Sequence, residues 1–274
     1  MTKKIRRWLI AALFALVLLI DFCWYENNHL DITTYDLDYH LGTDIKIMQL
    51  SDLHGKQFRS NNKPLIHVID RFSPDLIAVT GDAIDRHGDN LSETLDFLES
   101  LAQRYPVFYV FGNHEMDDRV RDTIYKRVTK DNLCFLNNEM AEINVRGVPV
   151  HILGLNERSG WYDHDTNVWL FEQLAQMGGL RLVLSHYPEN YALIKEANYQ
   201  QYDFDLMLSG HAHGGQWRLP LIGAVFSPGQ GWFPKYTAGV FGDHPQLIVS
   251  RGLGNSSFPL RLFNHPELVE ITIH

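Results

Sequence analysis

At 274 residues, 45% hydrophobic and 21% charged, the chain is long enough for one large domain with its own core plus a short extension. A formal net charge of −9 argues against a general nucleic-acid binder, which needs a basic face to neutralise phosphates. The two cysteines, Cys23 and Cys134, are too few and too far apart for a disulfide framework or a cysteine-rich zinc site, so the unusual number is the 14 histidines.

The N-terminus reads as a separate object. Lys3, Lys4, Arg6 and Arg7 precede an apolar run over residues 8–20, and after Asp21 an aromatic stretch follows at 22–25. Charge ahead of a short apolar run is the layout of a secretory signal, and no small-residue cleavage site follows it, which favours an uncleaved signal anchor over residues 1–25. Basic residues before the run and Asp21, Glu26 and Asp31 after it predict a single-pass membrane protein. Its N-terminus would be cytoplasmic and its remainder extracytoplasmic. The Arg6–Arg7 pair can also be read as a twin-arginine export signal, on two adjacent arginines alone.

A connector and first strand are expected over residues 26–43, and the catalytic domain over 44–274. Strands are predicted at 45–50, 75–80, 107–111, 180–184, 204–208, 246–250 and 268–272. Helices are predicted at 63–72, 91–103, 118–130 and 166–177. A hairpin is expected over 142–155, turning at Arg146-Gly147. Strand–helix alternation points to an αβ layered fold with parallel strand pairs, since such pairs need crossovers.

Five of the apolar strands end in polar clusters: Asp52-x-His54, Asp82, Asn113-His114, His186 and His211-x-His213. In layered αβ folds the loops beyond the carboxyl ends of strands collect on one edge, so these clusters should converge. Glycine precedes Asp82, Asn113 and His211, as expected where backbone turns sharply beside a ligand. Each cluster alone is a weak signal, because a lone histidine is more often a hydrogen-bonded structural residue than a ligand. Five in this order, all at strand ends, point to a metal site.

The order Asp-x-His, Gly-Asp-x-x-Asp, Gly-Asn-His-Glu, His, Gly-His-x-His resembles the calcineurin-like metallophosphoesterase superfamily, from about residue 44 to the end. Residues 210–216 and 249–254 resemble its N-terminally membrane-anchored bacterial branch. The resemblance implies a mixed β-sandwich flanked by α-helices, with two metal ions at the strand ends. By the same resemblance, Asp52, His54 and His213 bind one ion, Asn113, His186 and His211 bind the other, and Asp82 bridges them. His114 serves the leaving group or a phosphate oxygen, and Asp85 orients His114 and favours its imidazolium. Arg86 could contact the phosphate or remain a solvated arginine.

Mixed oxygen and imidazole donors suit first-row ions, with Mn²⁺ first and Fe or Zn²⁺ as alternatives. A carboxylate that bridges two cations about 4 Å apart fits hydrolysis of a phosphate ester or pyrophosphate bond by a shared hydroxide. Residues 219–241, rich in glycine, proline and aromatics, read as a long loop beside the metals that forms an apolar wall or touches membrane. With the anchor, it leans toward a lipid-linked or cell-envelope substrate. Two rivals stand beside this reading: a phosphodiesterase for soluble substrates, and a non-catalytic binding scaffold on the same fold.

Overall fold

A computed structural model describes residues 2–128, 132–156, 164–195, 197–255 and 258–274. The first element, α1 (Lys3–Asn28), is capped by Thr2, whose Oγ1 accepts from Ile5 N at 3.4 Å. It runs on through residues 26–28, which read as connector. Twenty-six residues at 1.5 Å each span about 39 Å, longer than a hydrocarbon core of about 30 Å. An 18-residue stretch of it has a mean hydropathy of 2.2 and no buried residue.

Among the described residues, α1 meets the rest of the chain at its end. Phe22 packs edge-on against Phe263 at 5.8 Å between ring centroids, and Glu26 is 3% exposed. The Glu26 carboxylate accepts from Asn264 N at 3.3 Å and lies 3.2 Å from His265 Nε2. Asn27 Oδ1 accepts from Asn255 Nδ2 at 2.8 Å and from Arg261 N at 3.2 Å.

The remaining elements, in chain order, are β1 (Asp31–Leu37), β2 (Ile45–Leu50), α2 (Lys63–Phe72), β3 (Leu76–Thr80), α3 (Leu91–Ala102) and β4 (Val107–Val110). There follow α4 (Asp118–Val128), β5 (Leu133–Phe135), β6 (Glu139–Val145), β7 (Val148–Gly154), α5 (His164–Leu174), β8 (Leu180–Leu184) and β9 (Leu206–Ser209). Four two-residue strands come next: β10 (Arg218–Leu219), β11 (Gly223–Ala224), β12 (Phe226–Ser227) and β13 (Gly231–Trp232). The chain closes with β14 (Gly239–Phe241), β15 (Gln246–Val249) and β16 (Glu267–Ile273). The end of the helix expected at 118–130 lies outside the described residues. The stretch expected as one long loop at 219–241 instead holds most of two small hairpins, β10–β11 and β12–β13, together with edge strand β14.

Two six-stranded sheets carry the fold, in the orders β1-β16-β2-β3-β4-β5 and β14-β15-β9-β8-β7-β6. Both are mixed: β2, β3, β4 and β5 run parallel while β16 is antiparallel to β2, and β15, β9, β8 and β7 run parallel while β14 and β6 are antiparallel edges. The period of two sorts side chains between layers. Ile45, Ile47, Leu76 and Ala78 face the sandwich interior with Ile152, Leu182, Leu184, Leu206 and Leu208 of the second sheet. Their alternates Met48, Leu50, Ile77 and Val79 pack under Leu65 and Ile69 of α2 and Leu95 and Leu98 of α3. On the far side, Val183, Met207 and Val249 pack against Leu170, Phe171 and Leu174 of α5. Each fully buried aliphatic contributes about 1.5–3 kcal/mol over an exposed one. This is the layered αβ sandwich, helices outside, that the sequence implied.

The parallel pairs put the carboxyl ends of β2, β3 and β4 on one edge of their sheet, and those of β8 and β9 on one edge of the other. Just beneath, Gln49 Nε2 donates to Thr80 Oγ1 of the neighbouring strand at 3.1 Å and across the sandwich to Ser209 O at 2.9 Å, tying the two edges to each other.

Candidate metal centre

All seven residues expected to bind metal lie at that common edge. Asp52 and His54 follow β2, Asp82 follows β3, Asn113 follows β4, His186 follows β8, and His211 and His213 follow β9. Five of them adopt the left-handed backbone that L-residues avoid: Asp52 (φ 51), His54 (φ 48), Asp82 (φ 50), His211 (φ 65) and His213 (φ 47). Such conformations cost of order 1–3 kcal/mol each and persist where surrounding structure over-determines them. The backbone here is shaped to aim side chains inward.

Two glycines permit the approach. A Cβ on Gly112 would stand 2.2 Å from Asp82 Oδ1, and one on Gly210 would stand 2.4 Å from Asp52 Oδ2 and 1.8 Å from Ser51 Oγ. No side chain fits at either position.

The donor atoms fall into two groups that meet at Asp82. In the first, Asp52, His54 and His213 come together: His54 Nε2 lies 3.1 Å from His213 Nε2, and His213 Nε2 lies 3.5 Å from Asp52 Oδ1. In the second, Asp82, His186 and His211 come together: His186 Nε2 lies 3.2 Å from His211 Nδ1 and 3.4 Å from Asp82 Oδ2. The same Asp82 oxygen is 3.7 Å from His54 Nε2, so one carboxylate faces both groups. Its other oxygen accepts the backbone N–H of His114 at 2.8 Å, which fixes its orientation.

Ring orientation is set from behind. His186 Nδ1 lies 2.8 Å from Thr80 O and donates to it, which turns Nε2 inward. Ser51 Oγ donates to Asp52 Oδ2 at 2.6 Å, and His211 N donates to Asp52 Oδ1 at 3.0 Å. Asn264 Nδ2 holds the His213 carbonyl at 2.7 Å.

Charge is crowded and buried. Burial alone would push Asp82 up, yet His186, His54 and His114 beside it hold it well below the usual carboxylate range. Burial would lower His186, but Asp82 and then Asp52 raise it to about 10. Asp52 is raised by burial. His211 falls to about 3 through burial and the neighbouring His186, and His213 falls through burial and His54.

Whether these residues suit a cation can be tested on the atoms they leave unpaired. Among the described residues, Asn113 Oδ1, His54 Nδ1 and His213 Nδ1 are buried with no hydrogen-bond partner. Two imidazole nitrogens about 3 Å apart cannot both be acceptors without a shared proton or cation, and ligands to one ion at about 2.0–2.1 Å show this spacing. The donor set of buried carboxylate oxygens, imidazole nitrogens and an amide oxygen fits first-row divalent ions.

His114 and Asp85 sit beside this centre. Asp85 Oδ2 lies 3.2 Å from His114 Nδ1 and 3.8 Å from His54 Nδ1. The His54 imidazole is the main reason that the Asp85 carboxyl is held below its usual range, with the His87 backbone N–H and His114 adding to it. The imidazolium expected for His114 does not follow. Burial lowers its pKa to about 4, and the pull of Asp82 and Asp85 does not overcome burial, His54 and Arg86. Arg86 enters through its backbone, whose N lies 3.3 Å from His114 Nδ1.

One residue of the site carries no assigned role in the sequence reading. Glu115, fully buried, accepts from the backbone N–H of Asp82 at 3.0 Å, Ile84 at 3.0 Å and Gly112 at 2.9 Å, and from the Tyr109 hydroxyl at 2.7 Å. Burial and the nearby Asp82 push its carboxyl up to about 7, against four donors that favour the carboxylate. The available signal was an acidic residue directly after two site residues, in a stretch with no exposed helix face to hold it.

Residues 45–215 match the family model described as calcineurin-like phosphoesterase. The chain belongs to that family. It is a phosphoesterase, and the family's chemistry depends on two metal ions. Among similar proteins, the uncharacterized metallophosphoesterase YkoQ of Bacillus subtilis is 29% identical over 272 residues, covering 95% of this phosphoesterase and 96% of its own length. The phosphodiesterase YaeI of Escherichia coli is 29% identical over 243 residues, 83% of this chain and 82% of its own. An uncharacterized metallophosphoesterase of Aquifex aeolicus is 28% identical over 272 residues, 95% and 98% of the two chains.

Proposed function

We propose that this phosphoesterase is anchored in the cell membrane by α1 and hydrolyses a phosphodiester or pyrophosphate bond of a lipid-linked or cell-envelope substrate. In this reading Asp52, His54 and His213 hold one ion, and Asn113, His186 and His211 hold the second. Asp82 serves both. The observation that carries it is the single Asp82 oxygen facing His54 on one side and His186 on the other. Mn²⁺ is the first ion expected, with Fe or Zn²⁺ suited to the same donors.

When bound, the two ions supply Lewis-acid stabilisation of the phosphoryl group and an activated water. The chain's residues do the rest. Asn113 contributes a neutral oxygen, so the centre keeps net positive charge for an anionic substrate. A neutral His114 that accepts the Arg86 N–H at Nδ1 carries its proton on Nε2, where it can be donated to a phosphoryl or leaving oxygen. Asp85 steadies His54 and His114 together. The printed name of YaeI favours diesters as the first class to test.

The basic residues before α1's apolar run and the acidic ones after it support a cytoplasmic N-terminus and an extracytoplasmic catalytic domain. Full-length protein in detergent with Mn²⁺ should hydrolyse bis(p-nitrophenyl) phosphate. Asp82→Ala should abolish both metal retention and turnover while the fold survives. A folded wild type inactive with every first-row metal, or an active Asp82→Ala, overturns the enzyme reading in favour of a scaffold. Reporter fusions at the two ends decide the orientation.

A further inference from the structure

Beside the metal centre lies an apolar cleft of about 310 Å³, walled by Trp217, Val225, Phe226, Trp232 and Phe258 and floored by Gly215. We infer that this cleft is a subsite for one hydrocarbon chain of the substrate, the acyl or prenyl tail attached to the phosphate that the metal centre cleaves. It deepens the lipid-linked reading above and rests on it.

Three observations point to that occupant. The first is the wall itself. Gln216, the one polar side chain there, uses its amide nitrogen on the carbonyls of Phe258 and Leu260, both at 2.9 Å. The Trp217 indole N–H is likewise donated to Leu260 O at 3.1 Å. The rings meet edge to face, Trp217 with Phe258 at 5.2 Å and Phe226 with Trp232 at 5.5 Å. Among the described residues, the side-chain N–H groups of the wall are thereby spent on backbone carbonyls. The size is at the lower end of the usual range of about 300–1,000 Å³ for ligand pockets.

The second is exposure. Trp232 is 70% exposed, and Phe233 beside it 69%. Leu221 and Ile222, at the turn of β10–β11, are more exposed still or nearly so, at 108% and 59%. Rings left this open in water are costly, and contiguous apolar surface of this kind marks an interaction site.

The third is what the cleft connects. Residues 217–218 pair with Leu262, through the Trp217–Leu262 bridge and Arg218 N donating to Leu262 O at 2.9 Å. The next residue, Phe263, carries the ring that packs on Phe22 of α1. The strip that walls the cleft is thus tied through Leu262 and Phe263 to the foot of the exposed apolar helix. At its other end, Gly215 belongs to the same short turn, His213–Gly215, as a donor of the metal centre. A tail leaving the bilayer beside α1 meets the cleft before its phosphate meets the metals. The cleft is linked to the helix on one side and to the site on the other, the two places that a lipid-linked substrate must join.

The test uses full-length protein with Mn²⁺ and p-nitrophenyl alkyl phosphate diesters, ethyl to octyl, kept below their aggregation limits so that no membrane is present. The wild type should gain about tenfold or more in kcat/KM from ethyl to octyl, since each buried methylene favours binding. Val225→Phe, which fills the cleft, and Trp232→Ser, which opens its exposed wall, should both flatten that dependence. Trp232→Ser keeps the proposal falsifiable if the filled cleft misfolds. Quenching of tryptophan fluorescence by brominated dodecyl phosphate, read without turnover, should weaken in Val225→Phe. A flat dependence in the wild type, or one that both variants preserve, overturns the subsite while leaving the phosphoesterase reading intact. If the variants lose only adhesion to phosphatidylglycerol vesicles and keep the chain-length dependence, the face is a membrane rest and the subsite is overturned. Inactivity on every chain length would instead count against the proposed function, and the quenching titration would still decide the cleft.

Discussion

Glu115 touches none of the donor atoms proposed to face metal, yet it holds the backbone on both sides of the bridge between them. Its two oxygens gather the N–H groups of Asp82, Ile84 and Gly112, from the loops after β3 and β4. A carboxylate is acceptor-only, so four donors can share it. Glu115→Gln keeps the shape and turns one acceptor into a donor facing a donor. Each buried N–H left unsatisfied costs about 1–3 kcal/mol, so the melting temperature should fall by several degrees, with activity falling alongside. Tyr109→Phe, which removes one of the four donors, should cost about 1 kcal/mol in the same thermal melts. If Glu115→Gln melts with the wild type, the carboxylate is not what fixes the two loops. The motif Gly-Asn-His-Glu made the donors legible because ligands must be particular residue types. Glu115 was not legible, because its partners are backbone groups that any sequence supplies. The pull of Asp85 on His114 was legible and has the expected direction, whereas burial, which a sequence does not display and which lowers His114, was not.

At the level of elements, the strands that deliver the site were readable because each is an apolar run ending in a polar cluster. The strands β2, β3, β4, β8 and β9 lie within a residue or two of where periodicity places them. The short strand β5 and the hairpins β10–β11 and β12–β13 carry too few residues to show a period, and read as turn and loop. Sheet membership was also hidden. Nothing local says that β16, last in the chain, inserts between β1 and β2. The C-terminal His274 adds a pH-sensitive closure to that edge. Its Nε2 lies 2.6 Å from Asp36 Oδ1 and its Nδ1 2.9 Å from Asp44 Oδ1, and only the imidazolium can donate to both. Asp44 and Asp36 therefore raise its pKa. A folded pKa above the unfolded value of about 6.5 means that the native state binds more protons between the two. The stabilisation is complete below about pH 6.5 and disappears as pH rises through the folded pKa. His274→Gln should thus lower the melting temperature at about pH 6 and have little effect at about pH 9, with salt shrinking the difference at this exposed pair. An effect that grows toward high pH would mean that the ring is held neutral.

On the scale of the whole molecule, α1 is both a separate apolar rod and a part of the domain. Its last turn supplies acceptors for Asn255, Arg261 and Asn264, and Arg261 is fully buried. Protein shortened to begin at Asp21 should keep those contacts and melt close to the full-length chain. Protein beginning at Leu30 loses them, and at about 1–3 kcal/mol for each buried donor left over its melting temperature should drop by several degrees. Equal melting of the two would mean that the helix foot is only a tether.

The contacts at that foot also form a lever. Glu26 holds the backbone of Asn264, and the Asn264 side chain holds the carbonyl of His213, so two hydrogen bonds separate the rod from a donor of the metal centre. The apolar run of α1, residues 8–20, spans about 20 Å, so in the anchored reading a hydrocarbon layer of about 30 Å would thin locally or draw in the aromatics at 22–25, and the seating of the helix would follow the thickness of the layer. Any displacement of the helix that reaches the last turn would pull on His213 through Asn264. In the anchored reading proposed above, the metal centre would be geared to the bilayer through this foot, with the movement of the helix as the input and the spacing of the donors as the output.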